Sequence, residues 1–347
     1  MRKIRVLVCI FCIFCLLLPF SGCKGRTVVQ EESYYQYFDT VSVIYSYAGD
    51  SKEDFEKNCH EIEGLLEKYH RLLDIYNEYE GINNLYTLNE NAGGEPIRID
   101  RELTDFLLYA KELYAVTEGK MNVMMGSVLS LWHDCRVTAR ENPQKVTLPE
   151  RVELEQAALY TSIELLEIDE EKGTVRISAP EASVDAGALG KGYVAERIAE
   201  HLAAKGVSGY VLDLGGNLRI VGTKPDGGNW ITGVKAPDEA DGYAIKLSIS
   251  DTSCVTSGNY ERYFELDGVR YHHIIDPDTL MPATYVASVT VICQNSALAD
   301  ALSTALFCMS VESGKSLVEG LDGVEAVWIT PEGEQIYSSG VDAMLVK

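Results

Sequence analysis

Asp185-Ala186-Gly187-Ala188-Leu189-Gly190-Lys191-Gly192-Tyr193 sets three glycines and a lysine between an acidic residue and a segment of helical periodicity. Glycines at such a join let backbone N–H groups approach a ligand. The helix start behind them favours anions, and the lysine adds a point charge. The stretch therefore predicts a turn into a helix with room for a phosphate-bearing ligand. It is not a Walker loop, which would read GxxxxGK followed by Ser or Thr, because Gly192 follows Lys191 here. It does not match GxGxxG either. Read alone, a tight turn without a ligand fits as well as a phosphate site.

Outward from this join the chain alternates strands and helices. Residues 193–205 read as a helix stopped by Gly206, and 209–214 as a strand ending in Gly215-Gly216-Asn217. Strands at 218–221 and 230–234 bracket the turn Pro225-Asp226-Gly227-Gly228-Asn229. Further strands are expected at 244–249, 263–266, 286–293 and 326–330, and a strongly apolar helix at 295–308. Upstream, 165–168 and 174–177 read as a hairpin around a solvated charged turn. Helices are expected at 51–73, 101–117, 123–132 and 150–160, a strand at 37–47, and a linker at 142–149. Residues 74–91 are polar and read as a long loop or broken helix. With no repeats and no break in composition, the pattern is α+β, an intertwined body rather than two separate domains.

The first residues set the compartment. Arg2, Lys3 and Arg5 precede an apolar run at 6–18, and Ser21-Gly22 stands directly before Cys23. A basic start, a short apolar core and small residues before a cut site make a secretory signal, too short to span a bilayer comfortably. The small pair before Cys23 resembles a bacterial lipoprotein box, which implies cleavage there and diacylation of the Cys23 thiol. An uncleaved anchor or a plain secretory signal would equally export the rest. The division expected is 1–22 as signal peptide, 23–33 as lipid-anchored tether and 34–347 as the functional domain.

The chain carries 30 basic and 53 acidic residues, a formal net charge of −23. Such a body argues against nucleic acid and against lying on an anionic lipid surface. An anionic ligand would need a local cation, either lysine or a metal ion. Of nine cysteines, Cys9, Cys12 and Cys15 leave with the signal and Cys23 would be lipidated. Cys59, Cys135, Cys254, Cys293 and Cys308 lack CxxC spacing and read mostly as buried thiols.

Three further segments bear chemistry. Asp300 and Thr304 stand four apart on the apolar helix and share a face, and their oxygen donors suit Mg²⁺. Asp300 as a plain helix-terminus charge is the simpler alternative. His272-His273-Ile274-Ile275-Asp276-Pro277 offers a histidine beside an Asp-Pro turn, either a general base or a structural residue. Thr256-Ser257-Gly258 reads as a polar turn.

In order, these segments resemble the FAD:protein FMN transferase family, the ApbE-type flavin transferases. The resemblance rests on the stretch from Asp185 through Gly192, Gly215-Gly216-Asn217, Thr256-Ser257-Gly258-Asn259-Tyr260, His273-Ile274-Ile275-Asp276-Pro277 and Ala299-Asp300-Ala301-Leu302-Ser303-Thr304. In the N-terminal half, Tyr37-Phe38-Asp39-Thr40, Thr117-Glu118-Gly119-Lys120-Met121-Asn122 and Trp132 match as well. The chain departs from the family pattern at Phe38, Asn122 and Leu280, where Met, Asp and Gly are usual.

The resemblance implies an ApbE/T-fold-like mixed α/β body with antiparallel sheets. It implies Mg²⁺-dependent transfer of FMN from FAD to a Thr or Ser hydroxyl of an acceptor protein, with AMP leaving. Asp300 and Thr304 would bind Mg²⁺ through side chains and Ala188 through its carbonyl, with Ser303 as a helper. Phe38, Tyr79, Lys120, Met121, Asn122, Asp185, Lys191 and Ile274 match FAD-contacting positions. His273 matches the histidine that activates the acceptor hydroxyl. The acceptor would be another exported protein, such as a subunit of a membrane redox complex. A Mg²⁺-dependent FAD pyrophosphatase would share every one of these residues, and a lipid-anchored flavin-binding protein would share most.

Overall fold

A computed structural model describes residues 29–237 and 242–346. The expected signal peptide, Cys23 and most of the tether lie outside the described residues. No helix among the described residues is long and apolar enough to cross a membrane.

An eight-stranded sheet organises the fold. Its spatial order is Gln30–Tyr34, Ser42–Ser46, Tyr210–Leu214, Asn217–Val221, Ser253–Gly258, Ser288–Cys293, Glu325–Ile329 and Gln335–Tyr337, every neighbouring pair antiparallel. Both faces are covered, so the central strands alternate between two apolar layers rather than between core and water. Along Ser288–Cys293, Val289, Val291 and Cys293 join the cluster under helix Ser296–Phe307, while Ile292 joins a cluster on the opposite face. That opposite face is closed by the hairpin Trp230–Lys235 with Tyr243–Ile249. Helices Lys52–Leu73, Arg101–Val116 and Gly190–Ala204 share the largest core with a small sheet containing the hairpin Leu166–Asp169 and Thr174–Ile177.

Three readings change. The strand expected at 37–47 is confined to Ser42–Ser46; before it, Phe38 and Asp39 are left-handed, with φ of 57° and 50°, in the reversal that folds Gln30–Tyr34 back on it. Residues 30–33, placed at the end of the tether, are thus an edge strand. Thr256-Ser257-Gly258 is a strand in mid-sheet, not a turn. Thr256 Oγ1 lies 2.8 Å from Thr290 Oγ1 on the neighbouring strand and Ser257 Oγ 2.8 Å from Ser303 Oγ on helix Ser296–Phe307, so these hydroxyls are paired within the fold rather than in a solvated turn. Finally, the helix expected at 123–132 begins as a short 3₁₀ turn and runs on as Gly126–Glu141. The five downstream cysteines are all buried free thiols, as expected.

The quoted glycines have uses other than the one expected of them. A Cβ on Gly192 would lie 2.3 Å from the Ser296 carbonyl oxygen and 2.4 Å from Asp300 Cβ. Gly192 therefore lets helices Gly190–Ala204 and Ser296–Phe307 touch. Gly192→Ala must push backbone against backbone. It should cost about 3 kcal/mol, read as a lower denaturant midpoint at unchanged m-value. A wild-type midpoint would show that this contact has slack.

Candidate functional site

One cleft of about 710 Å³ opens over the end of the sheet, within the usual range for small-molecule sites. Its walls come from segments far apart in sequence: the Phe38 reversal, the loop after helix Lys52–Leu73, helix Gly126–Glu141, the glycine–lysine loop, strand Ser253–Gly258 and helix Ser296–Phe307.

The glycine–lysine loop uses its own N–H groups. Gly187 N–H donates to Asp185 Oδ1 at 2.7 Å, Gly190 N–H to Ala186 O at 2.7 Å, and Gly192 N–H to Asp300 Oδ2 at 2.8 Å. A backbone cradle for phosphate is therefore largely spent. Binding of an anion here falls to cations, of which Lys191 lines the cleft.

Ala188, Asp300 and Thr304 all line this cleft. Asp300 is buried, and burial pushes its carboxyl up, against the opposing pull of Lys191 and the Gly192 N–H. Its Oδ1 faces Lys191 Nζ at 3.8 Å, too long for a hydrogen bond. Ser303, one residue before Thr304, turns its hydroxyl back to Asp300 O at 2.9 Å. A carboxylate, a hydroxyl and a peptide carbonyl make a hard oxygen set that fits Mg²⁺. Among the described residues no three His, Cys, Asp or Glu gather as a metal cluster. An ion here would complete its shell with water and ligand oxygens.

The two histidines divide their roles. His272 is structural: its Nε2 lies 2.8 Å from Ala283 O, its Nδ1 accepts the Ile274 N–H, and its ring packs edge-on to Phe307. His273 lines the cleft, and its buried Nδ1 has no hydrogen-bond partner among the described residues. Burial, then the charges of Arg262 and Lys191, lower its pKa to about 3. It is neutral at physiological pH, with an acceptor nitrogen to spare.

The other expected contacts spread unevenly. Phe38, Lys120, Asn122, Asp185, Lys191 and Ile274 line the cleft. Lys120, however, is committed to Asp276 and Asp278, each at 2.8 Å, and so fastens the 117–122 turn to the Asp-Pro turn. Met121 is fully buried in the main core and off the cleft wall. Tyr79 stands one layer behind, its hydroxyl donating to Asp74 Oδ2 at 2.7 Å, and Asp74 rather than Tyr79 lines the cleft.

The departures from the family pattern have local reasons. Asn122 accepts from Met124 N–H at 2.9 Å and donates to Thr161 O at 2.8 Å; an aspartate could do only the first. Phe38 packs edge-on against His70. Leu280 is left-handed, φ 62°, where glycine would be unstrained. Its side chain is nonetheless buried with Trp132, whose indole N–H donates to Leu280 O at 2.9 Å. Leu280→Gly would recover about 1–2 kcal/mol of backbone strain but lose about 2–5 kcal/mol of packing. The variant should therefore be less stable in a denaturant melt; a more stable one would mean the strain dominates.

The basic residues of the cleft beyond Lys191 and Lys120 carried no motif. Helix Gly126–Glu141 brings His133 and Arg136, three apart on one face, and Arg262 arrives from beyond strand Ser253–Gly258. The charges of all three act on Asp185, which lines the same cleft, and partly offset the burial that raises its pKa. No local pattern marks them, because only folding brings segments this far apart to one cleft.

Comparison with known proteins bears on the family and the fold. A family model described as the ApbE family matches residues 39–328. The FAD:protein FMN transferase of Treponema pallidum is 31% identical over 98% of this chain and 94% of its own length. That of Klebsiella pneumoniae is 31% identical over 79% and 83%. Among solved structures, the ApbE protein of Thermotoga maritima superposes with a TM-score of 0.80 at 26% identity, covering 92% of this chain and all of the other. The flavin transferase ApbE of Vibrio cholerae gives 0.76 at 26% identity with the same coverage.

Proposed function

The chain belongs to the ApbE family, and from that premise we propose how its cleft works. The protein is an FAD:protein FMN transferase, moving FMN from FAD to an acceptor protein. The observation that carries the reading is the meeting of Ala188, Lys191, His273, Asp300 and Thr304 in one cleft.

FAD's diphosphate would lie beside Lys191, with Asp300, Thr304 and the Ala188 carbonyl holding Mg²⁺. Bound there, Mg²⁺ supplies Lewis-acid polarisation of the attacked phosphate and charge neutralisation on the leaving one. Lys191 adds a second positive charge. His273, neutral and with a free nitrogen, takes the proton of the acceptor's Thr or Ser hydroxyl. The hydroxyl oxygen forms the phosphoester to FMN as the diphosphate bond breaks, and AMP departs. The acidic body outside the cleft repels stray anions, so phosphate binding is confined to where cations are placed.

We place the reaction outside the cytoplasmic membrane, on a chain anchored through lipidated Cys23. The support is the basic and apolar start followed by Ser21-Gly22-Cys23. Labelling with a palmitate analogue should mark wild type and leave Cys23→Ser unmarked; equal labelling would discard the anchor.

The deciding assay incubates purified protein with FAD, Mg²⁺ and an exported flavoprotein subunit from the same cell. A mass gain of one FMN on the acceptor, lost in EDTA, is the expected result. AMP and free FMN with no mass gain would identify a pyrophosphatase instead. Tight FAD binding without turnover would identify a flavin carrier.

A further inference from the structure

Asn217 lies at a junction that none of the roles above uses. Gly215 and Gly216 are both left-handed, with φ of 62° and 86°, and make the two-residue turn joining Tyr210–Leu214 to Asn217–Val221. The turn delivers Asn217 to the cleft wall while leaving it 1% exposed. One side of its carboxamide is fixed: Oδ1 accepts from Ser296 Oγ at 2.9 Å. Ser296 is itself held from behind, its N–H donating to Glu196 Oε2 at 2.6 Å, and Glu196 pairs with buried Arg219 at 3.2 Å. The other side, Nδ2, is buried and makes no hydrogen bond among the described residues.

A buried amide donor without a partner is costly to folding, because it has lost its water and gained nothing in exchange. Ser296, which fixes the other side, stands four residues before Asp300 on one helix, so Asn217 sits along the same helix face as the Asp300 carboxylate, in the same cleft. Asn217 joins Lys191 and the Gly192 N–H among the groups favouring its ionised form. Reversing the amide would turn an oxygen toward that carboxylate, so the orientation is chemically fixed. The unpaired donor and the one side-chain carboxylate of the Ala188, Asp300 and Thr304 set therefore share one wall of the cleft.

We infer that Asn217 is a positioning residue for Asp300, its amide N–H holding the carboxylate in the orientation that presents an oxygen to a divalent ion. The inference rests on the Mg²⁺ reading above. Arg219, Glu196 and Ser296 form the rigid support behind it. Such supports typically change metal affinity by about 10–100-fold when removed.

Metal binding, rather than turnover, is the test. Mn²⁺ is titrated in place of Mg²⁺ with FAD present and acceptor absent, and free Mn²⁺ is followed by electron paramagnetic resonance. Asn217→Ala should weaken Mn²⁺ binding about tenfold, and Ser296→Ala, which releases the amide without removing it, about threefold. Folding is checked by the unfolding midpoint in EDTA. If Asn217→Ala does not fold, Ser296→Ala decides. Affinity within about twofold of wild type in every folded variant of the two would overturn the role. Asp300→Asn separates the two failures: if it binds Mn²⁺ like wild type, the ion site itself is wrong; if it loses binding while Asn217→Ala keeps it, only the role of Asn217 falls.

Discussion

Asp300→Asn should reduce Mg²⁺-dependent FMN transfer by about 10²–10³-fold or more, with the fold retained. The substitution preserves shape. An asparagine oxygen can still accept the Gly192 N–H that Asp300 Oδ2 accepts at 2.8 Å, so the contact between the two helices survives. What disappears is charge. Burial already disfavours the ionised carboxylate, and its closest cation stands at 3.8 Å, so the charge is held at some cost to folding. A carboxyl whose pKa is raised by folding stabilises below its unfolded pKa and loses that contribution as pH rises through the folded value. At neutral pH, Asp300→Asn should therefore melt in EDTA no lower than wild type. Replacing a buried ion by a neutral isostere is often neutral or stabilising. Wild-type transfer rates would remove Asp300 from the ion site. Lost activity accompanied by a sharply lower melting point in EDTA would assign it a structural role instead.

The site was more legible than the sheet that carries it. Asp300 and Thr304 were readable because four residues on one helix must share a face, and the motifs around them occur in a fixed order. Helix Lys52–Leu73 and the hairpin Leu166–Asp169 with Thr174–Ile177 were readable from periodicity and turn chemistry. Strand Ser253–Gly258 was not, because local polarity cannot tell a solvated turn from hydroxyls paired across a buried sheet, as Thr256 and Thr290 are. The glycines misled in a different way. Their spacing matched a ligand cradle, but Gly192 is required by the approach of a helix about 100 residues further along the chain. Arg136 and Arg262 were invisible for the same reason: only folding brings them to the cleft that Asp185 lines. Interactions between distant segments are what sequence reading lacks, and a cleft assembled from segments spread between Phe38 and Thr304 consists mostly of them.

His273→Ala should lower transfer to the acceptor by about 10²–10⁴-fold, the usual worth of a positioned general base. FAD affinity should change little. The ring lines the cleft with a free nitrogen, and burial with nearby Arg262 and Lys191 lowers its pKa to about 3. A base that weak would remove a hydroxyl proton poorly. The remedy is in the substrate: FAD's diphosphate brings negative charge to the same cations, Lys191 among them, and so raises the histidine's pKa when the base is needed. This gives a signed pH dependence. For the free enzyme the imidazole is already neutral, so kcat/KM should show no inflection from His273 between about pH 5 and 8. In the loaded enzyme the pKa is higher, so kcat should fall on the acid side at a pH above the free-enzyme value. His273→Ala should flatten that limb. An inflection in kcat/KM near the ordinary histidine value, lost in His273→Ala, would show that the cations do not act on the ring. Full transfer activity in the variant would mean the acceptor hydroxyl loses its proton elsewhere. Release of AMP and free FMN, with water as the nucleophile, should persist more in His273→Ala than transfer does, because Asp300, Thr304 and Lys191 still act on the phosphate. The ratio of free FMN to protein-bound FMN therefore separates activation of the phosphate from activation of the acceptor.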